Sequence, residues 1–140
     1  MRNVLLVLLA CVVLSGCAST YEAKQGGLHG LINGGYTSTK IQDDIYKIAY
    51  ESNAATSSDI TQNYALLRCA EVALENNYKY FVIAEKLIES KQYINESGTS
   101  FVPVATNTIK CFKDKPQDSP TMVYDAEQVK ANIKAQYNIK

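Results

Sequence analysis

The chain lacks most of what marks an enzyme or a nucleic-acid binder. It has one histidine, His29, no Cys-x-x-Cys pair and no surplus of positive charge. Lys+Arg and Asp+Glu stand at 14 each, and phosphate binding needs a basic excess gathered on one face, so nucleic acid is not an expected partner. Without Cys-x-x-Cys or a cysteine–histidine cluster, neither a redox motif nor a zinc site has support, and no metal or dissociable cofactor is expected. No internal repeat is visible. Long apolar runs are also missing. The longest, Val4 to Leu14 (VLLVLLACVVL), would span only about 16 Å as a helix, against a hydrocarbon core of roughly 30 Å.

What is present begins with that run. Met1-Arg2-Asn3 supplies one positive charge ahead of it, the layout of a secretion signal rather than a permanent span. Ser15 and Gly16 then lead to Cys17, where an ordinary cleavage site would end in a pattern like A-x-A. The stretch LSGC resembles the lipobox of bacterial lipoproteins. That resemblance implies that Leu14, Ser15 and Gly16 are read by the signal peptidase and residues 1–16 are removed. Cys17 then carries a diacylglycerol on its thiol and often an acyl chain on its new amine. A second chain of a dozen methylenes adds on the order of 10 kcal/mol of membrane affinity, which makes residence effectively permanent. Cys11 and Arg2 are lost with the leader, leaving 13 basic against 14 acidic side chains, a net charge of about −1. Ala18 follows the cysteine. By resemblance to the sorting rule of enteric bacteria, a residue other than Asp there implies the periplasmic face of the outer membrane rather than the inner membrane.

Residues 17–35 read as the lipidated Cys17 and a flexible tether, because five of the seven glycines fall here (Gly26, Gly27, Gly30, Gly34, Gly35) without lasting periodicity. As a coil the tether would hold the domain roughly 20 to 25 Å from the lipid. His29 lies in it and reads as a solvated linker residue.

Residues 36–140 read as a single domain. Tyr36–Ile41 and Ile45–Ser52 are expected as a β-hairpin about Gln42-Asp43-Asp44. A long helix is predicted from about Ser57 to Asn76. Thr56 is its expected cap, Asp59 sits in the first turn, and Ile60, Leu67, Ala70 and Leu74 form a stripe flanked by Tyr64 and Leu66. Asn76-Asn77 can end it in the left-handed conformation. Tyr78–Glu85 reads as a central strand, Lys86–Ser100 as ambiguous with a turn at Glu96-Ser97-Gly98, and Phe101–Ala105 and Thr108–Lys113 as two further strands. Pro103 is expected at an edge or bulge. Lys115–Pro120 reads as a loop, and Asp125 caps a closing helix through about Tyr137 that carries Val129, Ile133 and Tyr137 at helical spacing. The fold class is α+β: an antiparallel sheet of four to five strands, one long helix packed on a face, and a C-terminal helix near an edge.

The phrases GGYTSTKIQDDIYKIAYESN, TSSDITQNYALLRCAEVALENNYKYFVI, TIKCFK and VYDAEQV together resemble an uncharacterised family of small Gram-negative bacterial lipoproteins, over most of the mature domain. The lipobox, the YALLRCAE helix and the late YDA motif stand in the order of that family. The resemblance implies a lipid-anchored envelope location and no particular reaction. The chain departs from the family in carrying Asn77 where Gly follows the helix, and in a short polar stretch before the last strands.

Three groups of residues are candidates for chemistry. Cys69 and Cys111 survive processing and, in an oxidising compartment, read as a disulfide, as two buried free thiols, or as a reactive pair. A bond would close a loop of roughly 43 residues, worth about 4 kcal/mol in the chain-entropy estimate. Tyr64, Arg68 and Glu71 share a helix face and read either as a polar surface or as an ion pair bordering the core. Tyr46, Tyr50, Tyr78 and Tyr80 offer rings for stacking on a glycan or peptide, or fill half-buried sheet positions. Ser57, Ser58 and Thr61 are better explained by capping than as nucleophiles, since no domain histidine could activate them.

The leading expectation is a non-catalytic lipoprotein whose small domain binds or scaffolds an envelope protein or glycan. A hydrolase using Glu71 or Glu75 is the alternative, and it would need two carboxylates roughly 5 to 9 Å apart in a cleft. A surface-exposed, host-facing lipoprotein is a third.

Overall fold

The structure, a computed structural model, describes residues 19–140. The leader, Leu14, Ser15, Gly16 and the lipidation candidate Cys17 lie outside the described residues. Eight elements follow: α1 (Gly27–Asn33), β1 (Gly35–Gln42), β2 (Ile45–Glu51), α2 (Ser58–Glu75), β3 (Tyr80–Asn95), β4 (Gly98–Phe112), β5 (Val123–Asp125) and α3 (Ala126–Tyr137). The strands form one antiparallel sheet in the order β1-β2-β4-β3-β5, so the fold is α+β with five strands.

The two hairpins arise from local sequence. Asp43-Asp44 turns β1 into β2, which pair from Gly35↔Glu51 to Gln42↔Ile45, and the hydroxyls of Tyr46 and Tyr78 both donate to the Asp43 carbonyl at 3.0 Å. Glu96-Ser97 turns β3 into β4, with the Ser97 amide donating to Asn95 Oδ1 at 2.9 Å. Gly98 at φ 128° begins β4 in a backbone conformation that side chains rarely adopt.

β3 and β4 are far longer than the sequence suggests. The ambiguous stretch 86–100 continues the ladder, and the two expected late strands are one strand, 98–112, at the centre of the sheet. Pro103 is tolerated there for a local reason. It stands one residue beyond the last β2–β4 pair, Glu51↔Val104, where its carbonyl accepts from the Ser52 amide at 3.0 Å. Its missing N–H falls where that ladder has ended, so within a central strand Pro103 keeps an edge position.

α2 packs across β2 and β4 with α3 alongside. The residue that caps it is Ser57, whose hydroxyl accepts from the Ile60 amide at 3.3 Å. Thr56, the expected cap, is turned to the N-terminal segment instead: its hydroxyl accepts from the Ser19 amide at 2.8 Å and donates to Asn53 Oδ1 at 2.8 Å. Asn77 ends the helix at φ 63°, as asparagine can. Asp125 caps α3 by accepting from the Gln128 amide at 3.0 Å.

Leu67 and Ala70 of the expected stripe are fully buried, whereas Ile60 and Leu74 are half-buried. Cys69 and Ala73 join Ile48, Phe81, Ile109 and Cys111 in the larger core cluster, where each large apolar side chain contributes roughly 1.5 to 3 kcal/mol of burial. A second cluster is aromatic. Tyr64 meets Tyr50, Tyr21 and Tyr137 edge-on, with centroids 5.2, 5.5 and 5.4 Å apart.

That cluster corrects the reading of the N-terminal segment as a flexible tether. Residues 19–35 lie on the domain. Ser19 is 4 % exposed, Tyr21 stacks on Tyr50 and meets Tyr36 at a tilt, and the amides of Lys24 and Tyr36 donate to the Tyr36 and Glu22 carbonyls at 2.9 Å. Gly34 and Gly35 serve close approach rather than slack. A Cβ on Gly34 (φ 76°) would stand 1.9 Å from the Glu51 carbonyl oxygen, and one on Gly35 would stand 2.6 Å from Lys24 Cα.

Candidate functional site

Three features collect the chemistry-bearing side chains. The first is the α2 face that the sequence singles out. Residues 68, 71 and 75 fall on one side of the helix by the three-to-four periodicity. Arg68 pairs with Glu71 Oε2 at 3.3 Å and grips both oxygens of Glu75 at 2.7 and 2.9 Å. Its Nε donates to Ser38 Oγ at 3.0 Å, and the guanidinium lies over the Tyr36 ring, 4.6 Å from the centroid. Burial works against the arginine's charge, but the hydrogen bonds to Glu75 and Glu71 raise its hold on the proton. Tyr21 donates its hydroxyl to Glu71, and burial together with that bond pushes the phenol well above its ordinary range.

Of the three residues expected as a polar surface, Arg68 and Glu71 are brought together. Tyr64 is not, because its ring is 8 % exposed inside the aromatic cluster. Tyr21, Tyr36 and Ser38 complete the site; the sequence does not single them out, since they lie thirty to fifty positions from Arg68 and Glu71. A shallow depression of about 470 Å³ opens beside them, rimmed by Lys130 and Lys134 of α3 and by Lys140.

The second feature is a carboxylate that no motif flags. Glu51 ends β2, is 7 % exposed at its side chain, and takes Lys91 at 2.7 Å, Lys24 at 3.0 Å and the Tyr93 hydroxyl at 2.7 Å. Burial pushes its carboxyl up, but the hydrogen bonds from Lys91, Tyr93 and Lys24 outweigh burial and hold it down at about 2. These partners come from the N-terminal segment and from the β3–β4 arm, which Glu51 ties together.

The third feature is an apolar groove of about 570 Å³ between α1, the loop 53–55 and the tip of the arm. Leu28 and Ile32 of α1, exposed at 72 % and 53 %, line it together with Tyr93, Val102 and, at the arm's tip, Ile94, exposed at 76 %. The sequence signal was the helical spacing of Leu28 and Ile32, masked by glycine.

Cys69 and Cys111 are free thiols, both buried, so the disulfide alternative is not realised. Burial pushes each up to about 12, and Asn107 Nδ2 donates to Cys69 Sγ at 3.6 Å. Tyr46 and Tyr50 are core residues rather than a stacking platform. Ser57 is a cap, and Thr61 is buried against Ser52, the two hydroxyls 2.6 Å apart. His29 is on α1, 3.0 Å from Glu22 Oε1. Among the described residues, no three His, Cys, Asp or Glu side chains are placed to hold a metal ion, and no helix is long and apolar enough to cross a membrane. In comparisons with known proteins, the chain matches no family model, no curated protein and no solved structure.

Proposed function

We propose that the chain is a lipid-anchored cell-envelope lipoprotein whose small domain binds or scaffolds an envelope partner without catalysing a reaction. The observation that carries the anchoring is the lipobox-like LSGC ending at Cys17, two residues before the domain's packed Ser19. A domain fixed this close to its point of attachment suits a module that holds something in place at the membrane surface. The partner, on this reading, meets the arm formed by residues 86–103, whose Leu87, Ile88 and Phe101 are exposed at 55 %, 43 % and 58 %.

The hydrolase alternative has weaker support. Glu71 and Glu75, the carboxylates it would use, are both paired with Arg68. The host-facing alternative differs only in orientation, and protease shaving of intact cells separates it from a periplasmic placement.

The anchoring is tested by Cys17→Ser. Fatty-acid labelling and co-sedimentation with membranes should be lost, and unchanged processing and membrane association would end the lipoprotein reading. The binding role is tested by photo-cross-linking from Leu87 and Phe101 in intact envelopes, where a discrete adduct above control is expected.

A further inference from the structure

The apolar groove and the point where the chain enters the domain are on the same loop. Ser19 donates its amide to Thr56 Oγ1 at 2.8 Å and accepts from the Asn53 amide at 2.7 Å, while Asn53, Ala54 and Ala55 line the groove. Cys17 is two residues upstream of Ser19, a reach of at most about 7 Å. We infer that the groove edge formed by Leu28, Ile32 and Ile94 is a seat that rests on the bilayer surface holding the lipidated Cys17. The inference rests on the lipoprotein reading above and adds an orientation to it.

A tether of eighteen free residues would let the domain tumble away from the lipid, whereas two residues keep the Asn53–Thr56 loop within a headgroup's depth of it. The side chains that flank this loop are the most exposed large apolar groups on α1 and at the tip of the arm, at 72 %, 53 % and 76 %. Burying such groups at the boundary of headgroups and acyl chains is the means by which peripheral surfaces hold to membranes. Lys91, two residues from the groove residue Tyr93, does not present a free charge to the interface because Glu51 engages it at 2.7 Å. A shallow apolar seat beside a covalent anchor needs little affinity of its own, since the anchor fixes its local concentration at the surface.

The chain has no tryptophan, so single introduced tryptophans report position without background. Leu28→Trp and Ile94→Trp place reporters in the seat. Met122→Trp places one beside Val123, which pairs with Val82, twelve residues and about 40 Å along β3 from Ile94. All three positions are exposed, so the fold should tolerate each, and an unchanged melting temperature checks this. The lipidated full-length protein is reconstituted into phospholipid vesicles whose acyl chains carry bromine, a contact quencher of tryptophan.

We expect Leu28→Trp and Ile94→Trp to shift to the blue and lose about half their emission, with Met122→Trp unaffected. Quenching no greater than at Met122 overturns the seat. A blue shift without bromine quenching also overturns it, because it would mean that the groove holds the protein's own acyl chain or a protein partner. The mass of the amino-terminal peptide separates the two ideas. A diacylglyceryl Cys17 with unquenched reporters leaves the lipoprotein reading standing, whereas an unmodified Cys17 overturns both.

Discussion

Lys91 Nζ lies 2.7 Å from Glu51 Oε2 and joins the β3–β4 arm to the end of β2, with Lys24 closing on the same oxygen from the N-terminal segment. A carboxyl held at about 2, against an ordinary value of 4.5, favours the folded state wherever it is ionised. Its contribution is therefore present above about pH 4.5 and is lost as pH falls towards 2. The limit is about 3 kcal/mol, reduced by solvent at the half-exposed Lys91. The midpoint of denaturant unfolding should fall across that window in the parent chain. Glu51→Gln should start lower at neutral pH and fall less, and an equal fall in both would show that the contact adds nothing.

Removing Arg68 takes the cation from Glu71, which is 14 % exposed and keeps the Tyr21 hydroxyl, whereas removing Glu75, 54 % exposed, leaves Arg68 with its other partners. Arg68→Met should thus cost about 2 kcal/mol of unfolding free energy and Glu75→Gln less than about 1 kcal/mol, measured in urea.

Thiols raised by burial to about 12 are protonated and enclosed at pH 8, so Cys69 and Cys111 should resist a water-soluble disulfide reagent until the domain unfolds. Labelling should track global unfolding as denaturant is added. Fast labelling of the native protein would mean that the core opens around α2.

Tyr21→Ala tests whether residues 19–35 belong to the domain. Loss of the ring contacts to Tyr36, Tyr50 and Tyr64 should cost about 2 kcal/mol and speed hydrogen exchange at the Lys24 and Tyr36 amides. A free tether would show no change in stability.

The parts legible in the sequence are those fixed by short-range rules. Ser58–Glu75 and Ala126–Tyr137 announce themselves by helical spacing and polar caps, and the first hairpin by its Asp-Asp turn. Residues 86–95 were ambiguous because nearly all of them stay exposed, so no alternation of apolar and polar residues marks the strand; pairing with β4 makes it one. The N-terminal segment misleads for a different reason. Glycine-rich composition signals slack, yet Gly34 and Gly35 are there because the backbone of Glu51 and Lys24 comes too close for a side chain. Arg68 and Glu71 were visible as neighbours on a helix, while Glu51 with Lys24, Lys91 and Tyr93 was not, because only the folded sheet brings those positions together.

Tyr64, midway along the chain, is flanked by Tyr21 near its beginning and Tyr137 near its end. A polypeptide emerging amino end first cannot complete that stack until residue 137 has been added. The opening strands and the long helix are therefore made before the ring that clasps them, and the aromatic cluster closes only when α3 has followed.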